Sequence, residues 1–215
     1  MSASAGKFQG DESGAAILEM TATIGVFLLI LGGIVDFSYL YYQWNAATKA
    51  TQHGARLAAV SNPVASGLMA LTGVSGGVLP GDPMPAFDCT CNGSTASCTG
   101  TMPSGACGYD LAAMNTIVFG RSKSACATPT SDRDVGMCNF FSRIARSNVV
   151  VQYQYTGLGY AGRPGGPVPT ITVRLQNLTY SFVFLQSLLG KTPINLPGLN
   201  TTITGEDLKK SQTGS

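Results

Sequence analysis

The sequence has little charge, a single histidine and no Cys-x-x-Cys pair. Only 11% of its 215 residues are charged, and the formal net charge is +2. Nucleic-acid-binding domains carry clustered basic residues, so this small and scattered charge argues against a nucleic-acid partner. Disordered chains are more charged and less apolar than this one, in which 44% of residues are hydrophobic. The length leaves room for one membrane helix and one domain of ordinary size.

Residues that would indicate an enzyme are also scarce. Gly157, Gly159 and Gly162 match the glycine spacing of a dinucleotide-binding fingerprint. That motif needs a helix to begin there, and the proline-containing segment 163–167 forbids one, so we expect a hairpin loop. His53 has no acidic or nucleophilic partner in its sequence neighbourhood, and we interpret it as a surface residue. The sequence therefore predicts a protein that is not an enzyme.

One apolar segment is long enough to cross a bilayer. Residues 20–35 carry no charge, and with residues 15–18 they reach the roughly 20 residues that span about 30 Å of hydrocarbon. Glu19 and Asp36 bracket this span, roughly 25 Å apart at the rise of an α-helix. The aromatic belt expected at a membrane boundary follows as Tyr39, Tyr41, Tyr42 and Trp44. The alternative, a buried core helix, is disfavoured because the segment is apolar on every side.

The start of the chain differs from an ordinary secretory signal. It lacks a basic n-region and a small-residue cleavage site after the apolar run. A short polar leader ends instead at Gly14, so we expect the cut between Gly14 and Ala15. The new amine at Ala15 would lie about one helical turn from Glu19, whose carboxylate would neutralise a charge that lipid penalises. The alternative is that Glu19 is a helix-start carboxylate favoured by the helix dipole.

Six cysteines follow the span in surroundings rich in Gly, Ser, Thr and Asn. Their even number predicts up to three disulfides in an oxidising compartment, with the pairing left open. Zinc binding by Cys89, Cys91 and either Cys98 or Cys107 is the alternative, which the missing Cys-x-x-Cys pair disfavours. The candidates for disulfide bonds are Cys89, Cys91, Cys98, Cys107, Cys126 and Cys138.

Hydrophobic periodicity predicts a small α+β domain with an antiparallel sheet and short helices after the span. Small residues at three- and four-residue steps predict that the long helix continues until Pro63 stops it. This face packs either on the chain's own domain or against neighbouring subunits. Residues 66–104, with the first three cysteines near their end and Cys107 just beyond it, are predicted to be a disulfide-pinned region with little regular structure.

Two helices and several strands are predicted beyond that loop region. The helices cover residues 110–119, with Leu111, Met114 and Val118 inward, and 132–146, with Met137, Phe140, Phe141 and Ile144 inward. Alternation predicts strands at 149–155 and 171–175, then a bulge or turn near Gln176 and Asn177, and a strand at 178–184 in the opposite phase. Residues 199–204 add a short final strand.

These predictions divide the chain into six parts. They are a leader (1–14), a transmembrane helix (15–40), a helix extension (41–62), a Cys-rich loop and short-helix region (63–146), an antiparallel β region (147–206) and a polar tail (207–215).

The N-terminal motifs resemble a known family. The Gly14/Ala15 junction, with Glu19 at the fifth mature position, is similar to the processing site of type IV pilin-like proteins. The sequences Gly33-Ile-Val-Asp36-Phe37 and Gly54-Ala55-Arg56 resemble the TadE-like family of tight-adherence (Flp) pilus assembly proteins. A weaker similarity covers the C-terminal strands and the Leu196-Pro197 segment.

The resemblance implies a minor pilin or pseudopilin that acts in pilus assembly, with indirect effects on adhesion or secretion. It implies a single-pass protein of the bacterial inner membrane, with a cytoplasmic N-terminus and a periplasmic C-terminal domain. The implied partners are a prepilin peptidase, other pilins of the same system and the pilus assembly platform, and no cofactor is implied. The alternative is a membrane-anchored periplasmic or surface binding module that is not incorporated in a pilus.

Overall fold

The computed structural model describes residues 12–103, 105–180, 182–184, 186, 194–195 and 198–205. The polar tail at 207–215 and most of the predicted leader lie outside the described residues. Two compact units are present: the first comprises residues 1–42 with 181–194, and the second comprises residues 43–180 with 195–215.

The N-terminal helix, α1, covers Glu12–Val60. It is long and apolar enough to cross a membrane, and its most apolar window is not buried by any described residue, which suggests a membrane anchor. The Ser61 N–H donates to the Leu57 carbonyl oxygen at 2.9 Å just after the helix ends, and Pro63 follows. This end agrees with the prediction, because the residue before a proline avoids the helical conformation.

An antiparallel sheet forms the centre of the second unit. The strands are β1 (Asp88–Asn92), β2 (Ser97–Thr101), β3 (Val149–Gln154), β4 (Thr170–Leu175), β5 (Thr179–Tyr180), β6 (Ile194–Asn195) and β7 (Asn200–Thr204). Five of them form one sheet in the order β2-β1-β3-β4-β7, and β5 pairs with β6. Alternate residues such as Val151, Tyr153, Ile171 and Val173 are fully buried, as the period-two pattern predicted. The α+β fold class is thus confirmed.

The second half of α1 belongs to the hydrophobic core of this unit. Its small residues are buried in the same cluster as the inward side chains of β3 and β4, and Trp44 packs against that cluster. The buried members of the small-residue face are Ala47, Ala50, Gly54, Ala55 and Ala58. This confirms that the face packs on the chain's own domain, whereas packing against neighbouring subunits stays a prediction.

Helix α2 (Leu111–Phe119) forms where the sequence predicted it. The Asp110 carboxylate caps it by accepting hydrogen bonds from the N–H groups of Ala112 at 2.8 Å and Ala113 at 3.1 Å. Met114 and Val118 are buried as expected. Leu111 was predicted to face inward and is exposed instead.

The predicted helix at 132–146 is wrong. A 3₁₀ turn (Asp132–Asp134), a short helix α3 (Met137–Phe140) and a further 3₁₀ turn (Arg146–Asn148) occupy this region. Gly136 interrupts the helix because it is extended (φ −111°, ψ 178°) and its backbone packs directly on the end of α2. The inward residues Met137, Phe141 and Ile144 are buried, but Phe140 is exposed.

Two further expectations need correction. Residues 66–104 contain a 3₁₀ turn (Ser66–Ala70) and the β1–β2 hairpin, which the polar, cysteine-containing sequence did not reveal. The strand predicted at 178–184 ends at Tyr180, and residues 182–184 are not part of a strand. The turn expected near Gln176 and Asn177 is present, since Asn177 has a φ of 55°.

All six cysteines form disulfides. The pairs are Cys89–Cys107, Cys91–Cys98 and Cys126–Cys138, with Cα–Cα distances of 5.8, 4.0 and 5.9 Å. Cys91 and Cys98 face each other across the β1–β2 hairpin. Because no cysteine is free, none can serve as a thiolate ligand, which removes the zinc alternative.

Candidate functional site

The first part of α1 presents an uncovered apolar surface. Every residue from 14 to 31 is exposed, although most side chains here are Ile, Leu, Val, Phe, Ala or Met. Gly14, Ala15 and Glu19 all lie in this stretch and within the helix. A patch this large on a protein in water marks a surface that binds other protein or lipid.

Gly14 has no packing role in the described structure. It is helical, and no heavy atom lies within 4 Å of the position that its Cβ would occupy. Glycine inside a helix costs about 1 kcal/mol relative to alanine. Packing among the described residues therefore does not require glycine at this position.

Ala15 and Glu19 are one helical turn apart and therefore share a face of α1. Residues four positions apart on a helix are side-chain neighbours. Both residues are exposed, and the Glu19 carbonyl oxygen accepts a hydrogen bond from Thr23 Oγ1 at 2.8 Å.

Asp36 has a defined role in the first unit. Its residue is 1% exposed, and its carboxylate accepts hydrogen bonds from two backbone N–H groups. Oδ1 lies 2.9 Å from the Val183 nitrogen, and Oδ2 lies 3.0 Å from the Phe184 nitrogen. Beside it, the rings of Phe37 and Phe182 meet edge to face, with centroids 5.9 Å apart. This contact was not predicted from the sequence, although the aromatic residues after Tyr180 were a usable signal.

The second part of the family motif lies in the core of the folded domain. A Cβ on Gly54 would lie 2.8 Å from Met137 Cγ, so glycine here allows the Met137 side chain of α3 to pack directly on the helix. Ala55 is buried and Arg56 is exposed. Gly33, by contrast, has nothing within 4 Å of its Cβ position. The two halves of the motif thus meet different parts of the chain.

His53 is half-buried and contacts the folded domain, and is thus not the surface residue that the sequence indicated. Its Nε2 lies 2.9 Å from the Val135 carbonyl oxygen, so the Nε2–H tautomer donates this bond. Its ring is also 5.0 Å from that of Phe140. Among the described residues, no group of three or more His, Cys, Asp or Glu could hold a metal ion.

Three groups in the folded domain have shifted pKa values. Burial raises the pKa of Tyr153, although the Val64 N–H that donates to its hydroxyl oxygen at 3.0 Å opposes the shift. Burial also raises the pKa of Tyr109, against the effect of the Arg146 guanidinium. Hydrogen bonds from Thr130 and Ser131 lower the pKa of Asp134. Each shift follows from local burial, hydrogen bonding and nearby charges.

Comparison with known proteins identifies one region. Residues 14–56 match the family described as TadE-like protein. No curated protein and no solved structure matches the chain. The matched region runs from Gly14 to Arg56 and contains Glu19, Asp36 and Gly54, so it confirms the resemblance seen in the sequence.

Proposed function

We propose that this protein is a minor pilin or pseudopilin of a bacterial tight-adherence (Flp, type IVc) pilus and that a prepilin peptidase processes it. The family match over residues 14–56 supports a part in the assembly of such a pilus. The observation that carries the proposal is the exposed apolar stretch at 14–31, in a helix that continues into a disulfide-bonded domain. Such a helix can be covered by lipid before assembly and by other pilin helices after it.

The disulfides support an orientation for the chain. Disulfides persist in the bacterial periplasm and are rare in the cytoplasm. We therefore place the folded domain in the periplasm, the span at 15–40 in the inner membrane and the leader at 1–14 in the cytoplasm. In this arrangement the helix extension at 41–62 is also periplasmic. The remaining periplasmic parts are the regions at 63–146 and 147–206 and the tail at 207–215.

Processing supplies a reason for Gly14 and Glu19. Hydrolysis of the peptide bond after Gly14 adds water, leaving a carboxylate on Gly14 and an amine on Ala15. The amine is protonated at neutral pH, and Glu19 of the same or a neighbouring subunit pairs with it. This pairing neutralises both charges in a region without water, where either alone would be unfavourable. The partners of this step are the peptidase, other pilins and the assembly platform.

Incorporation into surface fibres tests the proposal. Pili sheared from cells that carry the wild-type chain should contain the protein, and Glu19→Ala should deplete it from them. Glu19→Asp, which keeps the carboxylate, should restore most of the signal, and Asp132→Ala in an exposed turn is a matched control for loss of an acid. A protein found only in the membrane fraction would favour the anchored binding module instead.

A further inference from the structure

Among the described residues, those that cover the proposed span contact one face of it. Of residues 14–40, only Gly32 and Asp36 are buried. They are four positions apart, so they lie on the same face of α1. The residues that cover them are Val183 and Phe184, which are in the same compact unit as the span.

The contact is close and involves the Asp36 carboxylate and the missing Cβ of Gly32. Asp36 holds the N–H groups of Val183 and Phe184 with one oxygen each, at 2.9 and 3.0 Å. A Cβ on Gly32 would lie 3.1 Å from the Phe184 Cβ, so the small residue permits this approach. Hydrogen bonds to a carboxylate are stronger than those to a neutral acceptor.

The depth of this contact follows from its position on the helix. Asp36 precedes the end of the span at residue 40 by four residues, or about 6 Å along the axis. Residues in contact with Gly32 and Asp36 therefore lie at the same level, in the outer part of the bilayer. Backbone N–H groups at that depth need an acceptor from the protein, because hydrocarbon offers none.

The side chains of the covering segment are apolar, and those of Val183 and Phe184 are more than half exposed even though Phe184 also contacts Gly32. Val183 is 64% exposed and Phe184 is 53% exposed, while Ile34 and Val35 at the same level of the helix are also exposed. If water surrounded these four side chains, they would form an exposed apolar patch next to the apolar span. Lipid acyl chains are the occupant that fits, since they already surround the neighbouring residues of α1.

We propose that residues 182–184 are a second membrane-embedded segment, held against the span by Asp36 and covered on the outside by lipid. The proposal rests on the membrane anchor of the proposed function and goes beyond it, because it places part of the C-terminal half of the chain in the bilayer. It also explains the acid at position 36. A carboxylate supplies two acceptors, which is what two adjacent backbone donors require at this depth.

Depth-dependent fluorescence quenching tests the segment directly. The full chain is reconstituted in phosphatidylcholine vesicles with brominated acyl chains, at a protein content low enough to keep subunits apart. Trp44 is the only tryptophan, so a Trp44→Phe background allows one reporter at a time. The reporters are Phe184→Trp, Phe27→Trp within the span, and Leu158→Trp in the loop between β3 and β4 as the aqueous reference.

We expect the brominated acyl chains to quench the tryptophans at positions 184 and 27. Aqueous iodide should quench both of these less than it quenches the tryptophan at position 158. Iodide quenching at 184 without bromine quenching, while position 27 is quenched by bromine, would overturn the proposal and leave the anchor intact. Protection of position 184 from both quenchers would also overturn it, because protein and not lipid would then cover the segment. Absence of bromine quenching at position 27 would overturn the membrane anchor itself.

A second variant tests the role of Asp36. Asp36→Asn keeps the size of the side chain but replaces one acceptor oxygen by an N–H₂ group that faces a backbone donor. We expect loss of bromine quenching at position 184 and no change at position 27. Ser38→Ala, two residues further along the helix, is the matched control and should change neither. Full retention of quenching at 184 in Asp36→Asn would remove the holding role of the carboxylate.

Discussion

Replacement of Tyr153 by phenylalanine tests how the end of α1 is joined to the sheet. Tyr153 is fully buried on β3, and its hydroxyl oxygen accepts a hydrogen bond from the N–H of Val64, which lies directly after Pro63. Tyr153→Phe keeps the ring and opens almost no cavity. It leaves the buried Val64 N–H without this acceptor, which costs about 1–3 kcal/mol in free energy of unfolding.

The assay is urea denaturation of the detergent-solubilised chain with its disulfides intact. Trp44 fluorescence reports unfolding because Trp44 packs against the core of the folded domain. Tyr155→Phe is the matched control, since Tyr155 is only partly buried and its ring contact with Phe87 is retained. If Tyr153→Phe and Tyr155→Phe destabilise the protein equally, the hydrogen bond to Val64 does not have the assigned role.

The same variant makes a pH-dependent prediction. The pKa of Tyr153 is raised in the folded protein above its ordinary value of 10.0, so the tyrosine is neutral in both states below that pH. Above about pH 10 the unfolded chain loses the proton and the folded protein keeps it, so stability falls by up to about 1.4 kcal/mol per pH unit. Tyr153→Phe lacks this loss. The difference in free energy of unfolding between wild type and Tyr153→Phe should therefore narrow as the pH rises above about 10. A difference that stays constant with pH would contradict the argument.

The remaining predictions concern packing, capping and covalent links in the folded domain. The double variant Cys89→Ala/Cys107→Ala removes the disulfide between two residues 18 positions apart. Urea denaturation should show a free energy of unfolding lower by about 3 kcal/mol, and an unchanged value would contradict the structural role of this disulfide. Gly54→Leu should lower the free energy of unfolding by about 1–3 kcal/mol because the leucine side chain meets Met137. An unchanged urea midpoint would contradict this, because the core would then accommodate the larger side chain. Asp110→Ala should cost about 1 kcal/mol through loss of the α2 cap, with Asp110→Asn close to wild type in the same assay.

Segments with strong periodicity were predictable from the sequence. β4 alternates buried and less buried residues, and β3 buries every second residue, although it also buries Val150. The long apolar helix could hardly form any other element. Capping of α2 by Asp110 followed from the ordinary preference of aspartate for helix starts. In each case the local pattern and the tertiary environment favour the same structure, so local reasoning was sufficient.

Elements that depend on tertiary contacts were not predictable in the same way. The β1–β2 hairpin consists of Asp, Cys, Thr, Asn, Ser and Gly, so it shows no hydrophobic alternation. Its inward positions are filled by disulfide-bonded cysteines, among them Cys91 opposite Cys98. The predicted helix at 132–146 failed because Gly136 must pack against the end of α2, a contact that periodicity does not reveal.

The role of Asp36 shows the same limit within the site. Its partner Val183 lies 147 residues later in the chain, so no local pattern connects the two. Glu19 was recognisable from its position after Gly14 and within an apolar run, because an acid there needs a specific reason. Asp36 could be placed at the outer edge of the span but not explained until its backbone partners were known.

Mass spectrometry of the chain extracted from membranes most directly tests the central claim, that this is a processed pilin. The sample is compared between cells with and without the prepilin peptidase, with the N-terminal peptide identified in each. We expect a mature chain that begins at Ala15 only when the peptidase is present, and a chain that retains residues 1–14 when it is absent. Retention of residues 1–14 in both strains would contradict the account.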